Sequence, residues 1–371
     1  LKRKGLSKVV LGMALILLLA FTLSGCGSEE NKNGASTSEG NNEQAVEIRF
    51  STWHPPESEE TKNVWTPMLE EMKKNSNNRI TYKLFDGAAL GDPKGHFDIV
   101  QDGLSDMGYY TATWTPDRFP ISDVLSMPVE ILGKDIAVDI GNEMYNRILH
   151  QDFPDDVKVT SLNGCISAYF WTTEPIESID DLKGLRIRSP GGLQTSMIIA
   201  VGAEPVFMPL GDVYMAMETG DIDGIVTCPQ LYEAYKLYEL GKHALVGSFG
   251  CVTEGVVMHK HSWETIPEDL KPIVEEAANN PYKLTGGLTE DVINNVNSNL
   301  EKEGVIFHQL PEEQMNQLYS KFENDVVKKW VDDMEAKGLP GKEALLNYKA
   351  VLNKYNIEFP AFPSEWEKEV K

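Results

Sequence analysis

The run Asp180-Asp181-Leu182-Lys183-Gly184-Leu185-Arg186-Ile187-Arg188-Ser189-Pro190-Gly191 contains a short strand closed by a glycine turn. Leu185 and Ile187 alternate with Arg186 and Arg188, so the two arginines share one face of that strand. Gly192 to Val201 then reads as a helix with Leu193, Met197, Ile198 and Val201 on its buried side. Pro205 to Met208 follows. About thirty residues beyond the start of the run comes Asp212-Val213-Tyr214-Met215-Ala216-Met217-Glu218-Thr219-Gly220-Asp221-Ile222-Asp223-Gly224, a helix, a glycine and a strand ending in Asp-Gly. Strands alternating with helices build a mainly parallel sheet covered on both faces, the α/β class.

The same alternation runs through the N-terminal half. Val46, Ile48 and Phe50 mark a first strand, broken by Trp53-His54-Pro55-Pro56. Val64, Trp65, Met68, Leu69 and Met72 form the buried stripe of a helix. Ile80 to Leu84 is a strand, Asp92 to Gln101 a short helix, and Asp106 to Thr111 another strand. A helix is expected from Lys134 to His150, with strands at Val157 to Leu162 and Ser167 to Thr172. Ligands in such sheets bind beyond the carboxyl ends of strands, where Trp53-His54, Phe85-Asp86 and Tyr109-Tyr110-Thr111 fall. From Pro267 the chain reads as mostly helical. Leu284, Leu288, Val292, Val296 and Leu300 recur every four residues, and Met315 to Met334 does nearly the same, which predicts extended helices.

The chain has 371 residues, enough for two domains with separate cores. Its net charge of −23, with no basic patch to neutralise phosphates, argues against nucleic acid as a partner. An anionic ligand would meet an adverse field overall, so its capture needs a local fixed cation.

The N-terminus reads as a targeting segment. Lys2, Arg3, Lys4 and Lys8 precede an apolar run over residues 9–23, shorter than the roughly 20 residues of a membrane-spanning helix. Leu23-Ser24-Gly25-Cys26 closes it and resembles a lipobox. The expectation is a lipoprotein signal peptide at 1–25, with Cys26 lipidated at the new N-terminus. Its removal takes the charge from −23 to −27. Residues 26–45 hold the lipidated cysteine and a polar tether with too little apolar surface to fold. The other cysteines, Cys165, Cys228 and Cys251, are odd in number and show no metal-ligand spacing; an oxidising compartment leaves one disulfide open, and buried free thiols are the expectation.

No phosphate-cradling loop, nucleophile elbow or His-Glu-x-x-His occurs. His259 and His261 lack a third ligand and are expected to be packed or solvated. No catalytic residue, metal or cofactor is assigned.

The two quoted segments together resemble the solute-binding subunits of TRAP transporters, the DctP-like family. Gly87-Ala88-Ala89-Leu90-Gly91-Asp92 and Gly103-Leu104-Ser105-Asp106-Met107-Gly108 are similar to further family segments, as are Thr115 to Pro120 and Trp330-Val331 with Lys337 to Lys342. The resemblance covers nearly all of the mature chain and rests on the order and spacing of these motifs. It implies a two-domain periplasmic-binding-protein-like fold of class II type, with an interdomain cleft and long C-terminal helices, one of them spanning both domains. The expected division is 46–163 plus 252–280 for the first domain and 164–251 plus 281–371 for the second. The implied function is extracytoplasmic capture of an organic acid and its delivery to the small and large TRAP permease subunits, with the protein held to the membrane by lipid. A binding lipoprotein of an ATP-driven importer is the alternative, and an extracytoplasmic lipoprotein enzyme a more distant one.

The resemblance also selects Arg188, just before Ser-Pro-Gly, as the cation that pairs with the solute carboxylate. A planar guanidinium gives a carboxylate two parallel charge-assisted hydrogen bonds. Some family members carry a second arginine where Ala168 stands here. Sialic-acid binders carry an Asn in a run that reads Asp223-Gly224-Ile225-Val226-Thr227-Cys228-Pro229 in this chain. The expected ligand is therefore a monocarboxylate, with Trp53, Tyr110, Trp114, Tyr169 and Trp171 offered for its body, Thr227 at the cleft and His54 as a second cation if protonated.

Overall fold

The computed structural model describes residues 44–115 and 117–371. Cys26 and the signal and tether segments lie outside the described residues, apart from the tether's last two positions. In Val46–Ser51 (β1), Ile48 and Phe50 alternate with Glu47 and Arg49, and the apolar pair is fully buried. The strands that follow are Ile80–Phe85 (β2), Met107–Thr111 (β3), Val157–Gly164 (β4), Tyr169–Thr172 (β5), Arg186–Ser189 (β6), Glu204–Phe207 (β7), Gly224–Thr227 (β8), His243–Leu245 (β9), Thr253–His259 (β10) and Ile306–His308 (β11). They form two sheets, ordered β2-β1-β3-β10-β4 and β11-β9-β5-β8-β6-β7.

Both sheets are mixed rather than mainly parallel. β1 pairs in parallel with β2 and β3, and β6 with β7 and β8. β10 is antiparallel to β3 and β4, and β5 is antiparallel to β8 and β9. The cause is topological. The chain leaves the first sheet after β4, builds most of the second, and returns through β10, which enters between β3 and β4. Sequence alternation shows most of the strands but not Ile306–His308, which falls in the stretch read as helical, and not the direction of a strand that comes back from the other sheet.

The two crossing segments run side by side. Cys165 N donates to Val252 O at 2.7 Å and Ala168 N to Gly250 O at 3.0 Å. Gly250 has φ +66°, and a Cβ there would lie 2.4 Å from Ser126 O, so only glycine fits the crossing.

The Leu284–Leu300 repeat is two helices, Pro281–Thr285 and Glu290–Lys302, instead of one. Gly286 at φ +71° and Leu288 at φ +52° break it. Glu290–Lys302 still bridges the sheets. Ile293 packs into the apolar cluster of Trp65 and Tyr282, whereas Val296 and Leu300 pack with Trp171 and Val213. Met315 to Met334 lies on one continuous helical stretch, Glu312–Ala336, wider-wound at Glu323–Lys328. The C-terminal helix Gly341–Lys354 departs from the division read in sequence. It lies on the first-sheet helix Lys134–Arg147, where Arg147 Nη1 donates to Asn347 Oδ1 at 3.2 Å and Lys354 pairs with Glu143.

Candidate functional site

β6 delivers two arginines to different fates. Arg186 is consumed by Asp223: Nη2 lies 2.7 Å from Oδ1, Nε 3.1 Å from Oδ2, and the Arg186 backbone N also donates to Oδ2 at 2.8 Å. That fork ties the start of β6 to the turn before β8. Arg188 is 3% exposed. Its Nε donates to Met208 O at 3.1 Å, and among the described residues no carboxylate lies within ion-pair distance. Burial pulls its pKa down to about 10. A buried guanidinium without an acid partner is costly in the absence of an anion.

The turn after β6 fixes where this cation stands. Ser189 Oγ accepts from Gly191 N at 3.0 Å and meets Thr195 Oγ1 at 2.6 Å. Gly191 has φ +108°, and a Cβ on it would lie 3.1 Å from Thr113 O. The glycine thus lets the second-sheet turn approach the segment after β3 closely. Between the sheets, Arg188, Trp53, Trp114 and Thr227 line a narrow cavity: about 410 Å³ lies between the atoms, open solvent included, but only about 30 Å³ admits the centre of a water-sized sphere. The two tryptophan rings stand 4.9 Å apart at 55°. Ala168, Val226, Leu210 and Ile166 complete a mainly apolar wall. One fixed cation among rings and aliphatic groups suits a small acid with an apolar body.

Four of the residues proposed from sequence do not reach this cavity. Tyr110 packs against Phe97 and Phe119, on the other face of β3 from Tyr109. Tyr169 and Trp171 point together into the second-sheet core, where Trp171 stacks on Tyr232 at 4.0 Å and donates Nε1–H to Thr227 O at 2.8 Å. His54 stacks behind Trp53 at 3.9 Å and engages Thr52 Oγ1 at 2.9 Å. Its burial, with Lys134 and His96 nearby, holds its pKa well below the usual histidine value, so it stays neutral and supplies no second cation. Strand periodicity places residues on faces, but only those at strand ends and in the crossings meet the cavity.

Sequence reasoning passed over Gln194, Glu254 and all three cysteines, each of which lines the cavity. Gln194 was within reach, because it sits in the first turn of the helix after Ser-Pro-Gly-Gly. Glu254 is buried and bonded to Lys134 Nζ at 2.5 Å, with Tyr109 and Tyr282 hydroxyls 3.1 Å and 3.2 Å from the same ammonium. The cysteines are free and buried, as expected. His259 bonds Ser262 Oγ at 3.3 Å, and no group of three or more metal-ligating residues is assembled among the described residues.

Behind His54, Glu60 is buried, and this pushes its carboxyl up to about 7. The folded chain keeps a proton that the unfolded chain loses near 4.5. The stability from this group is present below that value and is lost as pH rises through 7. Glu60→Gln should therefore stabilise the protein at pH 8 by up to about 3 kcal/mol and change little at pH 4. Denaturant titrations at both values check this; an equal effect at both would contradict it.

The model of the DctP family, bacterial extracellular solute-binding proteins of family 7, matches residues 50–333, and the chain belongs to that family. It is a solute-binding protein of the TRAP-transporter type. A "solute-binding protein" of Chromohalobacter salexigens is 24% identical over 75% of this chain and 85% of its own length. The fold matches a TRAP solute-binding protein from Rhodoferax ferrireducens T118 in complex with copurified benzoate, with a TM-score of 0.78 and 24% identity over 84% of this chain and 99% of that one. A TRAP solute-binding protein from a marine metagenome, from an unidentified microbe, is specific for aromatic acid ligands and was solved with 3-hydroxybenzoate. It gives a TM-score of 0.78 at 25% identity, over 84% of this chain and 99% of that one.

Proposed function

We propose that the protein captures a monocarboxylate with an aromatic or branched apolar body outside the cytoplasm and hands it to a TRAP permease. The observation that carries this reading is Arg188, a buried cation on the cavity wall with no acid partner among the described residues. The acid's carboxylate pairs with the guanidinium, and its body lies against Trp53 and Trp114. Ala168 on the same wall offers no second cation, and His54 is neutral, so a second carboxylate would be buried unpaired. The ligand binds the closed arrangement of the two lobes better and shifts the population towards it. The solute is not altered chemically. The membership of the DctP family favours a TRAP permease over an ATP-driven importer as the partner.

A thermal-shift panel at neutral pH tests the ligand class, since ligand at a thousand times its Kd stabilises by about 4 kcal/mol. Benzoate, 3-hydroxybenzoate and branched 2-oxo acids should raise Tm above succinate, fumarate and malate. A response to dicarboxylates alone would overturn the reading.

We further propose that Cys26 anchors the protein to the membrane through lipid. In cells, Cys26→Ser should move the protein from the membrane fraction to the soluble one. A wild-type protein that is already soluble, with an unmodified mature N-terminus, would refute the anchor.

A further inference from the structure

Three thiols in one ligand cavity call for a reason. Cys165 comes from the crossing that follows β4, Cys228 from the end of β8, and Cys251 from the returning crossing. Cys165 Sγ and Cys228 Sγ are 3.6 Å apart, so a bond of about 2.05 Å needs an approach of only about 1.5 Å. Cys251 is turned elsewhere, its thiol donating to Leu125 O at 3.1 Å. Cys165 is held by its backbone bond to Val252, and Cys228 by its carbonyl, which accepts from Tyr232 N at 3.2 Å. The two sulfurs therefore face each other from the crossing and from the second-sheet wall of the cavity.

We propose that Cys165 and Cys228 form a reversible disulfide that restrains opening of the cavity. The inference rests on the extracytoplasmic reading only for its supply of oxidant, a small-molecule disulfide. One cysteine, as thiolate, attacks a sulfur of that disulfide, forms a mixed disulfide and expels one small thiolate. The second cysteine loses its proton to water and attacks the protein sulfur, forming the Cys165–Cys228 bond and expelling the second small thiolate. Two protein thiols are oxidised, and one small disulfide is reduced to two thiols. The contact with Cys228 and burial both push the Cys165 thiol well up, which keeps it protonated while the cavity is shut. The first exchange therefore belongs to the opened protein and the second, which needs the two sulfurs together, to its reclosing, so the crosslink records that opening has occurred under oxidising conditions.

The test incubates the mature protein with oxidised glutathione or with dithiothreitol. Peptide mapping should find a Cys165–Cys228 linked peptide, two hydrogens lighter than the reduced pair, which dithiothreitol abolishes. Three free thiols, a stable glutathione adduct, or a bridge involving Cys251 would overturn the assignment. The oxidised protein should melt about 5 °C above the reduced one, because the bond closes a loop of some sixty residues. Amide exchange at 165–168 and 250–253 should slow on oxidation. Cys228→Ser should show neither change between the two conditions. A mapped crosslink with unaltered melting and exchange would overturn the restraint of opening. None of these readouts uses a ligand, so their failure is separate from failure of the organic-acid reading.

Discussion

Arg188→Ala is expected to weaken binding of the acid that most raises Tm by about a hundredfold or more, with the fold intact. Truncating one partner of a buried, hydrogen-bonded charge pair costs about 2–5 kcal/mol, much of it from the charge left behind. Here the stranded charge is the ligand's carboxylate, which the tryptophan-lined wall cannot neutralise. Arg188→Lys should lose nearly as much, because a point charge cannot reproduce the fork. The ligand-free protein should not suffer in parallel. Arg188 makes a single bond to Met208 O, and its burial disfavours the charged form. Arg188→Met should therefore leave the apo denaturation midpoint unchanged or raise it. Calorimetry with the native protein and the variants decides the matter; unchanged affinity in Arg188→Ala would remove Arg188 from the site.

Lys134→Met is expected to have the largest effect on stability, a loss of about 3–5 kcal/mol. Lys134 and Glu254 are 1% and 3% exposed at their side chains, and the ammonium also holds two tyrosine hydroxyls. Burial alone would lower the lysine pKa, but Cys165, Glu254 and the tyrosines outweigh it and hold the group well above its ordinary value. The stability it contributes is thus fully present below the ordinary lysine value and lost only as pH rises through the higher folded one. Lys134→Met with Glu254→Gln should recover a large part of the loss, since the uncompensated carboxylate is then gone. A double variant no better than the single one would show that the network matters through packing rather than charge. Glu254 also lines the cavity, so the single variant, which leaves its carboxylate unpaired beside an anionic ligand, should bind the acid less well than the double one.

Most strands and helices were legible because their apolar periodicity is local; the three-residue strand Ile306–His308, within the stretch read as helical, was too short to show one. β6, its glycine turn and the helix Gly192–Ala200 stand where the quoted run predicts them. The cation was legible too, but only as one of two on the same strand face. What separates Arg186 from Arg188 is Asp223, thirty-seven residues on, which closes on the first and leaves the second. Strand direction was not legible, because β10 takes its place from a chain reversal through the other sheet. Nor were the cavity-facing aromatics. Trp53 and Trp114 reach the cavity from loops after β1 and β3, whereas Tyr110, Tyr169 and Trp171 lie within strands and fill the faces beneath the helices. The sequence repeat Leu284 to Leu300 ran on across Gly286 and Leu288, where the backbone turns left-handed. The break also shifts the buried stripe: Leu284 is exposed, and Ile293 rather than Val292 joins Val296 and Leu300 inside.

The most direct test is a crystal structure of the protein with the acid that raises its Tm most. The carboxylate should lie on the Arg188 guanidinium with N–O distances of about 2.7–2.9 Å, and the acid's body should lie between Trp53 and Trp114. An acid bound with its carboxylate away from Arg188, or outside the cavity between the sheets, would contradict the account.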